Sequence, residues 1–464
     1  MADKDGKVRI ERDTMGEVKI PAGAYYGAQT QRAVENFPVS GIVFPREFIR
    51  ALGLIKKCAA QVNSKLQFLD VKLAKGIVEA ANEVERGDLD QEFVLDIFQT
   101  GSGTSTNMNA NEVIATRANE ILSGQKDTRS PVHPNDHVNM GQSSNDVIPT
   151  AIHVAALTSI TADLVPALKE LHESLKERSI AFDGIVKIGR THLQDAVPIR
   201  LGQEFSGYAR QVELDIEALK GLREGLGELA LGGTAVGTGL NCAQDFAFET
   251  IELLSRETGC GFTEARNHFA AQASQDAAMR ASGVLKSVAV SLMKIANDIR
   301  WLSSGPRCGI GEINIPAVQP GSSIMPGKVN PVIPESVTQV AAQVMGNDAA
   351  ITIGCQAGNF ELNVMLPVIA HNLLQSIKLL ASVAKIFSER CVKGISANEK
   401  RCEACTENSL AMGTMLAPMI GHEKAAAIAK KAYTTGKTVR EVAMAEEVVS
   451  RDELDRLLDP ASMT

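Results

Sequence analysis

Apolar residues at Leu285, Val288, Leu292, Ile295, Ile299 and Leu302 recur at alternating steps of three and four. That spacing puts them on one stripe and predicts a helix of five turns with a buried face. Ile160, Leu164, Leu168, Leu171 and Leu175 repeat the pattern. The stretch 335–353, "ESVTQVAAQVMGNDAAITI", is small or apolar on most faces. It predicts a helix buried nearly all round, at the centre of a bundle or shared between subunits. Pro367 falls in the next helical pattern and is expected to kink it. Strand signals are few, limited to "KVRIERD" and "GEVKIP" near the N-terminus, which read as a small hairpin. Beyond about residue 398 come short charged helical stretches, "REVAMAEE" and "SRDELDRLLD". The expected fold class is mainly α, a long-helix bundle in three parts. These are a mixed N-terminal domain 1–141, a central bundle 142–397 and a small helical domain 398–464.

Composition narrows the picture. A chain of 464 residues is long enough for two or three domains. Aromatics are 4% of residues, so the core must be built from Ala, Val, Leu, Ile and Met. The net charge of −8, with no long run of Lys and Arg, argues against a nucleic-acid partner. Eight scattered cysteines do not suggest a disulfide framework. The CxxC of Cys402 and Cys405 reads as two thiols on a helix. The opening "MADKDGKVRIERDTMG" lacks an apolar core and mixes charge signs, unlike a signal or transit peptide. No window holds the ~20 uninterrupted apolar residues of a membrane span. A soluble, cytoplasmic protein is expected.

Polar islands break the helical pattern. They are "TGSGTSTNMNANE" (100–112), "HPNDHVNMGQSSND" (133–146), "GRTHLQDA" (189–196) and "GSSIMPGKVNP" (321–331). A fifth, "LGGTAVGTGLN" (231–241), is rich in glycine but poor in functional side chains. Any one alone could be a loop or cap. The last of the four does not fit a phosphate loop, because five residues separate its glycines and Val329 follows the lysine. "GTGLNC" and "GIGEIN" lack the third glycine of a dinucleotide fingerprint. Zinc at His133, Asp136 and His137 would need a rigid element, and Pro134 works against a helix there, so no metal is expected. What remains is hydroxyls, amides, one lysine and one histidine. Such groups hold a small anion at helix starts and loop N–H groups, with a histidine able to move a proton near neutral pH.

"GSSIMPGKVNP" resembles the signature of the fumarase/aspartase superfamily, and the resemblance runs from "DTMG" at Asp13 and "YGAQTQR" at Tyr26 to the C-terminal domain. Four features resemble class II fumarases and differ from aspartate ammonia-lyases: His192 in place of Gln, His133 in place of Asn, Gly327 in place of Ala, and "GNFELN" (358–363) in place of "GQLQLN". Argininosuccinate and adenylosuccinate lyases share the framework but differ at Gly327.

The resemblance implies reversible anti addition of water to fumarate, giving L-malate through a C3 carbanion and aci-carboxylate. It implies a place in the tricarboxylic acid cycle and no metal or organic cofactor. Ser322 is implied as the base that removes the C3 proton of malate, its alkoxide stabilised by loop N–H groups and Lys328. Lys328 and Asn330 would take up the charge on the adjacent carboxylate. His192, paired with Glu335, would handle the departing hydroxyl. Substrate carboxylate contacts are implied for Ser102, Gly103, Thr104, Ser143, Ser144 and Asn145. Thr191, Ser323, Lys328, Val329 and Asn330 complete that set. His133, Pro134, Asn135 and Asp136 match a second dicarboxylate site. The family often has a basic residue three positions before that histidine, where this chain has Ser130, with Arg129 one earlier. The resemblance also implies a homotetramer with a twenty-helix core and active sites shared by three subunits. The competing readings are ammonia elimination from aspartate and a catalytically silent relative of the lens-crystallin kind. Retention of Ser322, Lys328, Asn330, His192 and Glu335 together argues against the second.

Overall fold

The computed structural model describes residues 7–127 and 129–464. Strand β1 (Val8–Asp13) pairs antiparallel with β2 (Gly16–Pro21), Val8 opposite Pro21, forming the expected hairpin. The long helices include α1 (Arg46–Lys65), α2 (Thr104–Ser123), α3 (Ser144–Ser159), α4 (Val165–Ala181), α5 (Leu201–Gly221), α6 (Asp276–Leu302), α7 (Val332–Cys355) and α8 (Leu366–Arg390). A π turn, Ile160–Leu164, joins α3 to α4. Between α4 and α5 lies a second hairpin, β3 (Val186–Thr191) with β4 (Gln194–Arg200). Near the C-terminus come α9 (Glu399–Asn408), α10 (Val439–Ala445) and α11 (Arg451–Leu457).

Both predicted stripes are buried. Leu285, Val288, Leu292, Ile295 and Ile299 are fully enclosed on α6, as are Leu164, Leu168, Leu171 and Leu175 along the π turn and α4. One expectation needs correction. Pro367 does not kink a helix; it is the second residue of α8, where a missing N–H costs nothing and a fixed φ suits the first turn. Within the chain, α7 is covered on one side only. Val337, Ala341, Val344 and Ile351 are buried, whereas Ala342, Gly346, Ala349 and Ile353 are exposed. The uncovered face also carries Gln339 and Gln343, so small, apolar and amide side chains share it.

The chain forms two compact units. One comprises the N-terminal segment to Val165, Glu217–Ser287 and Ala342–Leu380. The other comprises Pro166–Ile216, Val288–Ala341 and Ala381–Thr464. Neither is a continuous stretch of sequence, because α5, α6, α7 and α8 each give residues to both. Within the second unit, Met412, Leu416, Ile428, Val439, Val442, Leu454 and Leu458 form a hydrophobic cluster of their own. Cys402 and Cys405 both lie on α9 as free thiols, and burial pushes Cys402 up to about 12. By length and composition two helical stretches, Ser144–Ala181 and Leu366–Gly394, could cross a bilayer, but 61% of the apolar window in each is buried inside the chain.

Candidate active site

In the first unit, the islands meet at the starts of α2 and α3. Gly103 opens α2 at a φ of +72°, a conformation that suits glycine, and it has no side chain to cap the helix. The free N–H groups of a first turn are an anion site in general. Beside it Ser102 Oγ and Thr104 Oγ1 share a hydrogen bond of 2.7 Å. Gly101 is packed so tightly that a Cβ there would lie 1.9 Å from the Val364 carbonyl oxygen. Ser143 caps α3 in a capping box: its backbone N–H donates to Asp146 Oδ1 at 2.8 Å, and its Oγ accepts from Asn145 N at 3.3 Å.

The glycine-rich fifth island has a use that its side chains did not reveal. The backbone N–H groups of Gly232 and Thr234 both donate to Asp146 Oδ2 at 3.0 Å, and Asn145 Nδ2 donates to Ala235 O at 2.7 Å. Burial raises the Asp146 carboxyl above the usual carboxylate range, opposed by these donors and by Lys56.

Lys56 was not anticipated. It is fully buried on α1, its Nζ 3.0 Å from Asn139 Oδ1 and 2.9 Å from Gln142 Oε1. Burial lowers its pKa to about 7. A readable signal existed, because Lys56 falls on the apolar stripe of Leu52, Ile55, Ala59 and Val62.

The segment with Pro134 is helical after all: a five-residue π turn, Pro134–Val138, has the proline at its first position. His133 caps it, Nδ1 accepting from Asn135 N at 3.3 Å and Asp136 N at 3.2 Å. Asp136 Oδ2 lies 3.3 Å from the same nitrogen. The Arg129 guanidinium is already occupied by the Arg12 carbonyl.

In the second unit, "GRTHLQDA" is the tip of the β3–β4 hairpin. Thr191 pairs with Gln194, which leaves His192 and Leu193 as a two-residue turn at φ of +57° and +59°. Turns of this type normally use Asn-Gly, so two side chains are held in a region they disfavour. Thr191 and His192 are exposed. A buried ion network anchors the hairpin. Arg190 donates two hydrogen bonds of 2.8 Å to the carboxylate of Glu312, and Lys187 Nζ lies 3.3 Å from Glu312 Oε2 and 3.2 Å from Glu204 Oε2. Glu312 is wholly buried and comes from "GIGEIN", the segment rejected above as a nucleotide motif. Within the chain no hydrogen bond joins His192 to Glu335, which sits in the first turn of α7.

The loop 321–331 is cross-braced. Gly321 N donates to Lys328 O at 2.8 Å, and Asn330 Nδ2 donates to Gly321 O at 2.7 Å. A Cβ on Gly321 would sit 2.7 Å from Lys328 O, so the brace needs glycine. Gly327 turns the loop at a φ of +80°. Ser322 Oγ accepts two backbone bonds, from Ile324 N at 3.2 Å and Met325 N at 3.1 Å. Lys328 is not bonded to Ser322 within the chain; its Nζ donates to Asn330 Oδ1 at 2.6 Å. Asn330 therefore has one amide hydrogen left. Ser322 and Asn330 are half-buried, while Ser323, Lys328 and Val329 are exposed.

A lyase family model matches residues 16–346, and a model of the fumarase C C-terminus matches residues 413–464. Fumarate hydratase class II of Halobacterium salinarum is 56% identical over 98% of this chain and 97% of its own length. The Mycobacterium tuberculosis enzyme of the same name is 53% identical, covering 98% and 96%. The crystal structure of class II fumarase from Schistosoma mansoni superposes at a TM-score of 0.94 with 40% identity, covering 98% of this chain and 99% of that one. The chain belongs to the class II fumarate hydratases.

Proposed function

We propose that the chain adds water across the double bond of fumarate to give L-malate, reversibly and with anti geometry, without a metal or organic cofactor. In the direction of dehydration, Ser322 Oγ takes the C3 proton as an alkoxide. The electron pair of the broken C–H bond passes to the adjacent carboxylate, which becomes an aci-carboxylate dianion. The Lys328 ammonium and the remaining N–H of Asn330 meet that charge, each good donor contributing ~3 kcal/mol. The C2–O bond then breaks, and His192 delivers the proton with which hydroxide leaves as water, its basicity raised where Glu335 meets it in the assembled site.

The observation that carries this reading is the pair of backbone N–H groups on Ser322 Oγ. Two fixed N–H donors would stabilise an alkoxide formed on that oxygen. Ser102, Gly103, Thr104, Ser143, Ser144, Asn145 and Thr191 would hold the substrate carboxylates, with Ser323 and Val329 beside the base. A second dicarboxylate would rest on His133, Pro134, Asn135 and Asp136.

Charge stabilisation of this kind requires exclusion of water, yet His192 and much of the 321–331 loop are open in a single chain. The bare face of α7 is open as well. Both support a homotetramer that pools its long helices and completes each site from three subunits. Purified protein is expected to consume fumarate without ammonium, and His192→Asn to lose hydration while staying assembled. A requirement for ammonium, with aspartate as product, would overturn the reading.

A further inference from the structure

The hydroxyl of Ser144 hangs on a chain of buried amides that ends at Lys56. The Lys56 amine, charged or neutral, has hydrogens enough to donate to both amide oxygens that face it, those of Asn139 and Gln142. The opposite end of the Asn139 amide agrees, its Nδ2 donating to Gln142 O at 3.1 Å. Asn139 Oδ1 then accepts from Asn107 Nδ2 and Asn111 Nδ2, both at 3.2 Å. With its nitrogen so directed, Asn107 donates its other hydrogen to Ser144 Oγ at 3.0 Å. Asn107 and Asn111 are fully buried, and Ser144 is buried at the start of α3. The hydroxyl oxygen is thus occupied from inside. Its own hydrogen is left to point outward, as a carboxylate ligand requires.

We propose that Lys56 is a positioning residue: it fixes the polarity of the Asn139–Asn107–Ser144 chain so that the Ser144 hydroxyl donates to a substrate carboxylate. The inference rests on the reading of Ser144 as a carboxylate contact. Replacing Lys56 by an apolar residue leaves two buried amide oxygens without their charged donor, and the amides of 139–142 must re-pair. Lys56→Gln keeps an uncharged NH2 donor at the end of a shorter side chain.

The test is a double-mutant cycle on fumarate hydration, with folding checked by circular dichroism. Ser144→Ala alone should raise KM. Lys56→Met should raise KM roughly tenfold, about one charged hydrogen bond, with a smaller change in kcat. In the Ser144→Ala background Lys56→Met should add less than about twofold, because nothing remains to be aimed. Lys56→Gln goes through the same cycle, so that the result stands even if the Met variant does not fold. Its rise, about threefold, should vanish in the same background. Multiplying effects, or a Lys56 variant with wild-type KM, would overturn the inference alone. A Ser144→Ala variant with unchanged KM would overturn the reading of Ser144 and the inference with it.

Discussion

Removing the Glu312 carboxylate should disable the hairpin that carries His192 without unfolding the protein. Glu312→Gln keeps the shape but removes the charge that takes two 2.8 Å bonds from Arg190 and faces Lys187 at 3.3 Å. Taking one partner from a fully buried ion pair typically costs ~3–5 kcal/mol. The strain held at the tip is of similar size. Left-handed backbone at His192 and Leu193 costs ~1–2 kcal/mol each, or roughly 3 kcal/mol for the turn. Anchorage and strain are therefore nearly balanced, and the anchor lies only two residues from the histidine. If ~3 kcal/mol is lost at the tip, the productive geometry of His192 is populated roughly a hundredfold less.

The assay is the loss of fumarate absorbance in steady state, with far-UV circular dichroism and size exclusion to establish folding and assembly. A fall in kcat of about a hundredfold, with a smaller change in KM, is expected. Lys187→Met should do less harm, because the bidentate Arg190–Glu312 pair survives. A folded Glu312→Gln variant with wild-type kcat would refute the reasoning.

Two further outcomes follow from buried groups. Burial pushes the Asp215 carboxyl up to about 6, opposed only by its bond to Ser291. Its folded value lies above the unfolded one, so stability is lost as pH rises through about 6. Asp215→Asn should therefore raise the melting temperature by a few degrees at pH 8 and hardly at pH 4, measured by calorimetry; an equal gain at both would contradict the assignment. Gly101→Ala should cost ~1–3 kcal/mol through overpacking against Val364 O and should raise KM by disturbing Ser102 and Thr104. Thermal unfolding and steady-state kinetics check both parts, and a variant equal to wild type in each would be the contrary result.

The long helices were legible because the apolar stripes of α4 and α6 repeat with helical spacing and no competing element buries residues on that period. The hairpin bearing His192 was not. In "VKIGRT" the lysine is buried by an ion network, which breaks strand alternation, and the turn residues are His-Leu, which carry no turn signal. Pro367 misled because its effect depends on where the helix begins, and boundaries are weakly encoded. Glu335 to Ile353 is small or apolar on most faces, but which part the chain itself covers is a tertiary fact. The candidate catalytic groups at 189–196 and 321–331 were recognisable from residue types and resemblance. Lys56, Asp146 and Glu312, which act by burial against distant segments, required the fold.

The central claim is that Ser322, held by two loop N–H groups, removes the C3 proton. The most direct measurement follows malate in deuterium oxide by proton NMR, comparing wild type with Ser322→Ala and checking that the variant still binds a four-carbon dicarboxylate. Wild type is expected to place one deuterium stereospecifically at C3, and the variant to lose both exchange and turnover while retaining binding. Exchange and hydration at wild-type rates in the variant would contradict the account.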